Sequence, residues 1–336
     1  MKDGKKLYLK VLKKDAESTR KKLYKKKIFD GKRRVIPEKN HLLLPITSKT
    51  TLPGTQIVER KVQEIKKKPR SLKEALSGSS PTPSSFDVVG DIAILEFDKD
   101  FTGDKKVVAR ALLDTFPSIK SVAEKSAKVS GEYRVRGISV LAGESRTETV
   151  HKEHGCRYKL DVAQAYFSPR LGSERMRVAG QVEEGERVLV LFAGVGPYAI
   201  LIAKKRKPSE IVAVELNPNA CEYMEGNVAR NKVKVKVVCG DAKEETPKLG
   251  VFDRIVMPLP MLAGDFLDVA LPALTTGGVI NFYAFAHDPG EAEKTVKEKA
   301  AQLKHEAEVL DVVECGSYSP CLSRYCVDFK LGAKST

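Results

Sequence analysis

The sequence predicts an α/β protein: a doubly wound parallel sheet closed by an antiparallel C-terminal hairpin at its edge, preceded by two small α/β domains. Three observations carry this. From Cys156 onward, short apolar runs alternate with helical segments in the rhythm of parallel strands joined by crossover helices. Residues 189–200, LVLFAGVGPYAI, read as a strand running into Gly194-x-Gly196-x-x-Ala199 and then an apolar helix. That spacing lets backbone approach a ligand at a helix N-terminus. Finally, the net charge of +15 is segregated: residues 1–76 hold 24 Lys+Arg against 8 Asp+Glu, and the other 260 residues hold 35 against 36.

A chain of 336 residues is expected to form two or three domains. Residues 1–65 are the basic N-terminal unit, with strands at KLYLKVL and HLLLPI around a lysine-studded helix near residues 15–26. Charge concentrated in one module points to a polyanionic partner, and nucleic acid is the expected one. A solvated lysine-rich surface is the plainer alternative. Residues 66–85 mix a basic run with Ser, Gly and Pro and read as a linker with little apolar material for a core. Residues 86–155 form a small α/β RNA-binding unit, with FDVVGDIAILEF strand-like, a helix near residues 105–115, SVAEK, and a basic stretch.

Residues 156–332 hold the large sheet. CRYKLDVAQAYF has a strand pattern, and SERMRVAGQV is a short helix with Ser173 placed to cap it. The parallel strands are RVLVLF, EIVAVEL, VKVKVVCGD, FDRIVMPLP and GGVINFYAF, and VLDVVECGSYSPCLSRYCVDFKL closes the chain as two strands. The longest apolar runs, such as residues 188–195, are far short of a membrane span. The Lys-rich start lacks the apolar core of a secretory signal, so a cytoplasmic protein is expected. The six cysteines form no C-x-x-C pair. His151, His154 and Cys156 in HKEHGC lack paired-ligand spacing, so no metal is expected there.

In such sheets, ligands bind beyond the C-terminal strand ends. Strand one delivers Phe192, Ala193, Gly194, Gly196 and Pro197 there. Strand two ends at Glu215, 19 residues after Gly196, where a carboxylate can accept both hydroxyls of a ribose. Strand three ends at Asp241, placed for an adenine amino group, and strand four at the rigid exit MPLP with Pro258 and Pro260. The glycine loop and Glu215 serve a nicotinamide cofactor or S-adenosylmethionine equally well. Asp241, the proline corner, the closing hairpin and the loop's late position favour the methyl donor. Plainer roles exist for each: Asp241 as a helix cap, the prolines as strand ends.

The motifs GEYRVRGI, LAGESRTETVHKEHG, DVAQAYFSPRLGSERMRVA, FAGVGPYA and VELNPNA resemble the archaeal and eukaryotic tRNA (guanine-37-N1)-methyltransferases, which have a class I, Rossmann-like methyltransferase fold. The resemblance implies methyl transfer from S-adenosylmethionine to N1 of the guanosine 3′ of the anticodon. It also implies a small N-terminal domain that touches the outer corner of the tRNA. By resemblance Glu174 is the general base and Arg146 steadies guanine O6. Arg175 contacts the methionine end of the donor, and Tyr166 lies at the target-base pocket. Glu215 with Leu216 matches the ribose contacts, and Asp241 with Ala242 the adenine contacts. Arg134, Arg136, Arg157 and Arg170 are expected at RNA phosphates. The chemistry suits these roles: N1 must lose a proton while charge gathers on O6, which calls for a base and a cation.

Two positions depart from the family pattern: Val190 stands where an acid is usual, and Pro258 where an Asn is usual. Altered motifs of this kind resemble the archaeal branch tied to wyosine nucleosides, so C7 of 4-demethylwyosine is the alternative target. A nicotinamide oxidoreductase, or a non-catalytic RNA-binding protein with a relic cofactor domain, are the competing classes. No membrane and no obligatory protein partner are expected, and a monomer suffices.

Overall fold

A computed structural model describes residues 5–61, 71–76, 83, 86–98, 100–125, 137–261, 263–319 and 321–331. The chain divides into two compact units, Met1–Pro69 and Arg70–Thr336.

The first unit is a four-stranded antiparallel sheet with one helix. β1 (Lys5–Leu12) leads through a single turn into α1 (Ala16–Lys25), followed by β2 (Ile36–Pro37), β3 (His41–Pro45) and β4 (Gln56–Lys61), in the order β2-β3-β1-β4. Helix α1 buries Ala16 and Leu23 against Leu9, Val11 and Leu44. Its other face leaves Lys21, Lys22 and Lys25 exposed, with Lys26 and Lys27 in the turn beyond. Arg33 is not part of that basic surface. It is buried, donating to Asp30 at 2.7 Å and to the carbonyls of Leu7 and Ile46 at 3.1 and 2.5 Å.

The second unit begins inside the expected linker. α2 (Leu72–Leu76) buries Leu72 and Leu76 against Val108 and Leu112, so this stretch belongs to a core after all. Of the other expected linker residues, 66–70, 77–82 and 84–85 lie outside the described residues. A four-stranded sheet follows: β5 (Phe86–Val89), β6 (Ile92–Leu95), β7 (Ser121–Lys125) and β8 (Ile138–Gly143), in that order. α3 (Lys105–Thr115) makes the crossover between the parallel β6 and β7, capped by Asp104, which accepts from the backbone of Lys106 and Val107. β9 (Glu148–Glu153) and β10 (Cys156–Asp161) pair as an antiparallel hairpin. His154 and Gly155 turn it with φ of 49° and 82°. The expected boundary between residues 155 and 156 falls in this turn, where ladder bonds tie the two sides together.

α4 (Gly172–Gln181) precedes the large sheet, whose parallel strands are β11 (Arg187–Leu191), β12 (Glu210–Glu215), β13 (Lys236–Cys239), β14 (Phe252–Met257) and β15 (Leu274–Ala286). The crossovers carry α5 (Pro197–Lys205), α6 (Pro218–Asn231), α7 (Ala242–Glu245) and α8 (Leu267–Ala270). After α9 (Pro289–Gln302), β16 (Ala307–Ser319) and β17 (Leu322–Leu331) complete the order β13-β12-β11-β14-β15-β17-β16. The antiparallel strand β17 sits second from the edge, between β15 and β16. Helices α4 to α6 cover one face through Val178, Ile200 and Met224, and α8 and α9 the other through Leu267, Ala292 and Val296. Ser173 does not cap α4: a single turn at Pro169–Leu171 runs into the helix, so Ser173 already lies within it and makes no capping bond.

Two side chains of α6 fix the hairpin to the sheet domain. Asn227 accepts from Lys159 N and donates to Lys159 O, and Asn231 does the same with Arg157. Four helical residues rise about 6 Å and two strand residues about 6.6 Å. An i, i+4 asparagine pair can therefore stand in for a neighbouring strand.

Candidate active site

The loop after β11 is shaped by backbone. Phe192, Gly194 and Gly196 all have positive φ, at 54°, 56° and 85°. A Cβ on Gly196 would lie 2.9 Å from Met224 Cγ, so that position needs glycine on two counts. Pro197 then opens α5 at its first position. Phe192, a bulky residue in a strained conformation, packs edge-on against Phe266 with centroids 4.8 Å apart. The carbonyl of Tyr166 lies 3.6 Å from where a Gly194 Cβ would be, and the Tyr166 side chain is 48% exposed beside the loop.

Glu215 leaves β12 and accepts from the N–H groups of Gly194 at 2.7 Å and Asn217 at 2.9 Å. Burial raises its carboxyl above the ordinary range, against the pull of these backbone donors. Asn217 caps α6 and donates to Gln164 O at 2.7 Å, which anchors the segment before Tyr166 to the strand end. Leu216, between Glu215 and Asn217, is half-buried. Asp241 takes the plainer role as well: it caps α7 by accepting from Lys243 N at 2.7 Å. Ala242 is buried in the core, while Pro258 and Pro260 are half-buried where the chain leaves β14. The donor set fits an adenosine. A half-buried carboxylate reaches across a glycine loop, with a second acid one strand over and Phe192 nearby.

Glu174 stands in the first turn of α4, where the helix dipole favours an acid. It is 6% exposed, and its carboxylate accepts from Arg177 Nε at 2.7 Å, Arg177 Nη2 at 2.8 Å and the Tyr283 hydroxyl at 2.6 Å. Tyr198, in the first turn of α5, donates to Tyr283 at 3.0 Å. This chain runs from Glu174 to the helix that the glycine loop opens. Met257, the last residue of β14, pairs with Phe282. Tyr283 is thus the first residue of β15 beyond that strand end, on the side where ligands bind. Behind it, Arg177 also holds Asp328 at 2.5 Å, and Asp328 accepts from Gln181 and Asn281.

Arg175 departs from its expected role. Its guanidinium, 2% exposed, donates through Nε and Nη2 to Glu153 at 2.8 and 2.5 Å and to Ser168 O at 3.1 Å, over the Phe167 ring. Burial disfavours ionisation of Glu153, but His151 and Arg175 outweigh it and hold the carboxyl at about 2. A buried cation with an acid this close is drawn to that acid, not to a ligand's carboxylate.

Arg146 lines a polar concavity with Gly90, Asp91, Thr149, His151 and Lys152. It forks onto Asp91 at 3.0 and 2.6 Å and reaches Glu144 at 2.7 Å, while Thr149 also donates to Asp91 at 2.7 Å. Among the described residues no hydrogen bond or ion pair joins Arg146 to Glu174. From the Arg146 concavity a run of contacts leads through His151, which accepts from Gly90 N at 3.1 Å and faces Glu153 at 3.8 Å, to Glu153 on Arg175, the residue after Glu174. His154 contacts Gly172 O and Cys156 is buried, so these residues already have packing roles. Arg170 pairs with Asp87 at 2.6 Å but stays largely exposed, and Arg157 is exposed. Arg134 and Arg136 lie outside the described residues. Val190 is fully buried in the sheet. Sequence reasoning missed Asp91, Glu153, Arg177, Tyr283 and Asp328. Asp91, Glu153, Tyr283 and Asp328 are brought to the site by tertiary contact across many residues, for which no local pattern exists. Arg177, by contrast, stands three residues after Glu174 on the same helix, a spacing the sequence does show.

Comparison with known proteins bears on what this arrangement is. The TRM5/TYW2 methyltransferase domain matches residues 149–310, the TYW2 N-terminal domain residues 70–147 and the tRNA methyltransferase 5 N-terminal domain residues 9–51. A Pyrococcus abyssi relative, tRNA (guanine(37)-N(1))-methyltransferase Trm5b, is 38% identical over 97% of this chain and 99% of its own. The chain belongs to the TRM5/TYW2 methyltransferase family. Family membership sets aside the nicotinamide reading, and the sheet is the class I methyltransferase fold. A Saccharolobus solfataricus relative, tRNA 4-demethylwyosine(37)-methyltransferase Taw21, is 42% identical over 59% of this chain and 76% of its own. The solved complex of aTrm5 and tRNALeu superposes with a TM-score of 0.79 at 32% identity, covering 97% of this chain and all of that one.

Proposed function

We propose that this protein transfers a methyl group from S-adenosylmethionine to N1 of guanosine 37 in tRNA. The observation that carries the reading is the near end-to-end likeness to a relative with that named activity, spanning both N-terminal units and the sheet. When bound, S-adenosylmethionine supplies a methyl already activated by its sulfonium. Glu215 and Leu216 take the ribose, Asp241 and Ala242 the adenine edge, and the loop from Phe192 to Pro197 the backbone contacts. Arg175 acts through Glu153 and Phe167, holding the wall of the pocket.

Glu174 accepts the N1 proton of guanine, and Arg146 donates to O6 as negative charge gathers there. Glu174 must first give up donors it already has. Arg177 can do this without being stranded, because Asp328 remains as its second partner. Tyr283 stays on the carboxylate and aims it. Tyr166, Pro258 and Pro260 frame the acceptor base, and Arg134, Arg136 and Arg170 meet phosphates. The enzyme is read as cytoplasmic and as working in monomeric form, since one chain holds every group named.

The likeness to Taw21 favours a second target, C7 of 4-demethylwyosine. Purified enzyme, donor and either unmodified tRNA or tRNA carrying 4-demethylwyosine, followed by nucleoside mass spectrometry, separates the readings. 1-Methylguanosine from the unmodified transcript is expected. Its absence from every tRNA tried would overturn the proposal.

A further inference from the structure

The last four residues of β15 continue beyond the end of β14, paired with β17. Alternate residues of a strand share a face, so Phe285 lies on the face of Tyr283, about 7 Å further from the sheet. Tyr283 is the residue that holds Glu174. In the ladder, Arg324 stands opposite Phe285. Its guanidinium carbon is 5.5 Å from the Phe285 ring centroid. The Arg324 Nε is buried with no hydrogen-bond partner among the described residues. Tyr318, from β16, completes the group: its ring is 57% exposed and lies 4.3 Å from Phe285, centroid to centroid. His287 contacts Cys321 O at 2.5 Å, which ties the hairpin tip to the chain leaving β15.

We infer that Tyr318, Phe285 and Arg324 form a stacking platform for an unpaired nucleobase of the RNA substrate, adjacent to the base that reaches Glu174. The inference rests on the tRNA reading above. A base presented to Glu174 must leave its stack, and its neighbour then needs a new flat surface. Splayed bases stack on aromatic rings and guanidinium planes and are read at their edges by free donors. Tyr318 offers the face and Arg324 the cation. Both lie one pleat outward from the carboxylate, on the same side of the sheet.

The chain contains no tryptophan, so Tyr318→Trp introduces a single indole fluorophore at the platform. Its emission is expected to be quenched on titration with tRNA, without turnover. In methylation assays, Tyr318→Ala should raise KM for tRNA about tenfold, with kcat at saturating tRNA and affinity for S-adenosylhomocysteine within twofold of wild type. Tyr318→Phe should restore KM. Emission unmoved by tRNA, or an unchanged KM in Tyr318→Ala, overturns the platform. So does emission that changes with protein concentration alone, which would assign the surface to a second copy of the chain. Quenching by tRNA while the wild type methylates none of the tRNAs tried would uphold the platform and refute the proposed reaction.

Discussion

Glu174 is a carboxylate that already accepts three hydrogen bonds, and its neighbours decide what a substitution costs. Arg177→Ala leaves Glu174 and Asp328 buried without their shared cation. A loss of about 3 kcal/mol is expected, read as a fall in denaturation midpoint; a loss below about 1 kcal/mol would contradict the account. Tyr283→Phe removes two hydrogen bonds, the one given to Glu174 and the one taken from Tyr198, and should cost less, about 2 kcal/mol. Glu215 carries the pH dependence. Its carboxyl is raised by burial, and it accepts ribose hydroxyls best when ionised. As pH falls, affinity for S-adenosylhomocysteine should therefore decline earlier than an ordinary exposed carboxylate allows. The stability sign is opposite: a raised carboxyl is held ionised at a cost, and that cost disappears as pH drops through its folded value. Calorimetric titration from pH 8 down to 4, through the ordinary carboxylate range, checks this, with Glu215→Gln weaker and flat; a wild-type decline that begins no earlier than an ordinary carboxylate's refutes it. The sequence made Glu215 legible because a strand-end acid at this spacing from the loop has local cause. The pairing of Arg177 with Asp328, 151 residues apart, had none.

At the scale of elements, patterning revealed what depends on one segment alone. Helix α3 spans the residues its apolar spacing predicts, and the five parallel strands and closing hairpin follow the alternation of the sequence. Errors arose where a neighbour overrides local signals. A turn starting at Pro169 takes the helix start from Ser173, and β9 and β10 are joined by cross-strand bonds that no shift in composition reveals. The stretch that holds α2 reads as linker with little apolar material, yet Leu72 and Leu76 complete the core around α3. Leu72→Ala should destabilise the second unit by about 2–4 kcal/mol, measured by thermal melting; a change under about 0.5 kcal/mol would show that α2 is dispensable.

For the whole molecule, the segregated charge and the family relationship point the same way. The lysines on the outer face of α1 are exposed and are expected to meet phosphate, whereas Arg33 serves its own fold. Replacing Lys21, Lys22 and Lys25 by Gln should weaken tRNA binding. It should also lower the slope of log affinity against log salt by about 0.7–0.9 for each phosphate no longer neutralised; an unchanged slope would remove the unit from the RNA interface. The central claim is that Glu174 takes the proton from guanine N1, and single-turnover methylation by Glu174→Gln tests it most directly. The account predicts a rate at least about 100-fold below wild type, with S-adenosylhomocysteine affinity nearly unchanged and the protein still folded at the assay temperature. A rate within a few-fold of wild type would contradict it.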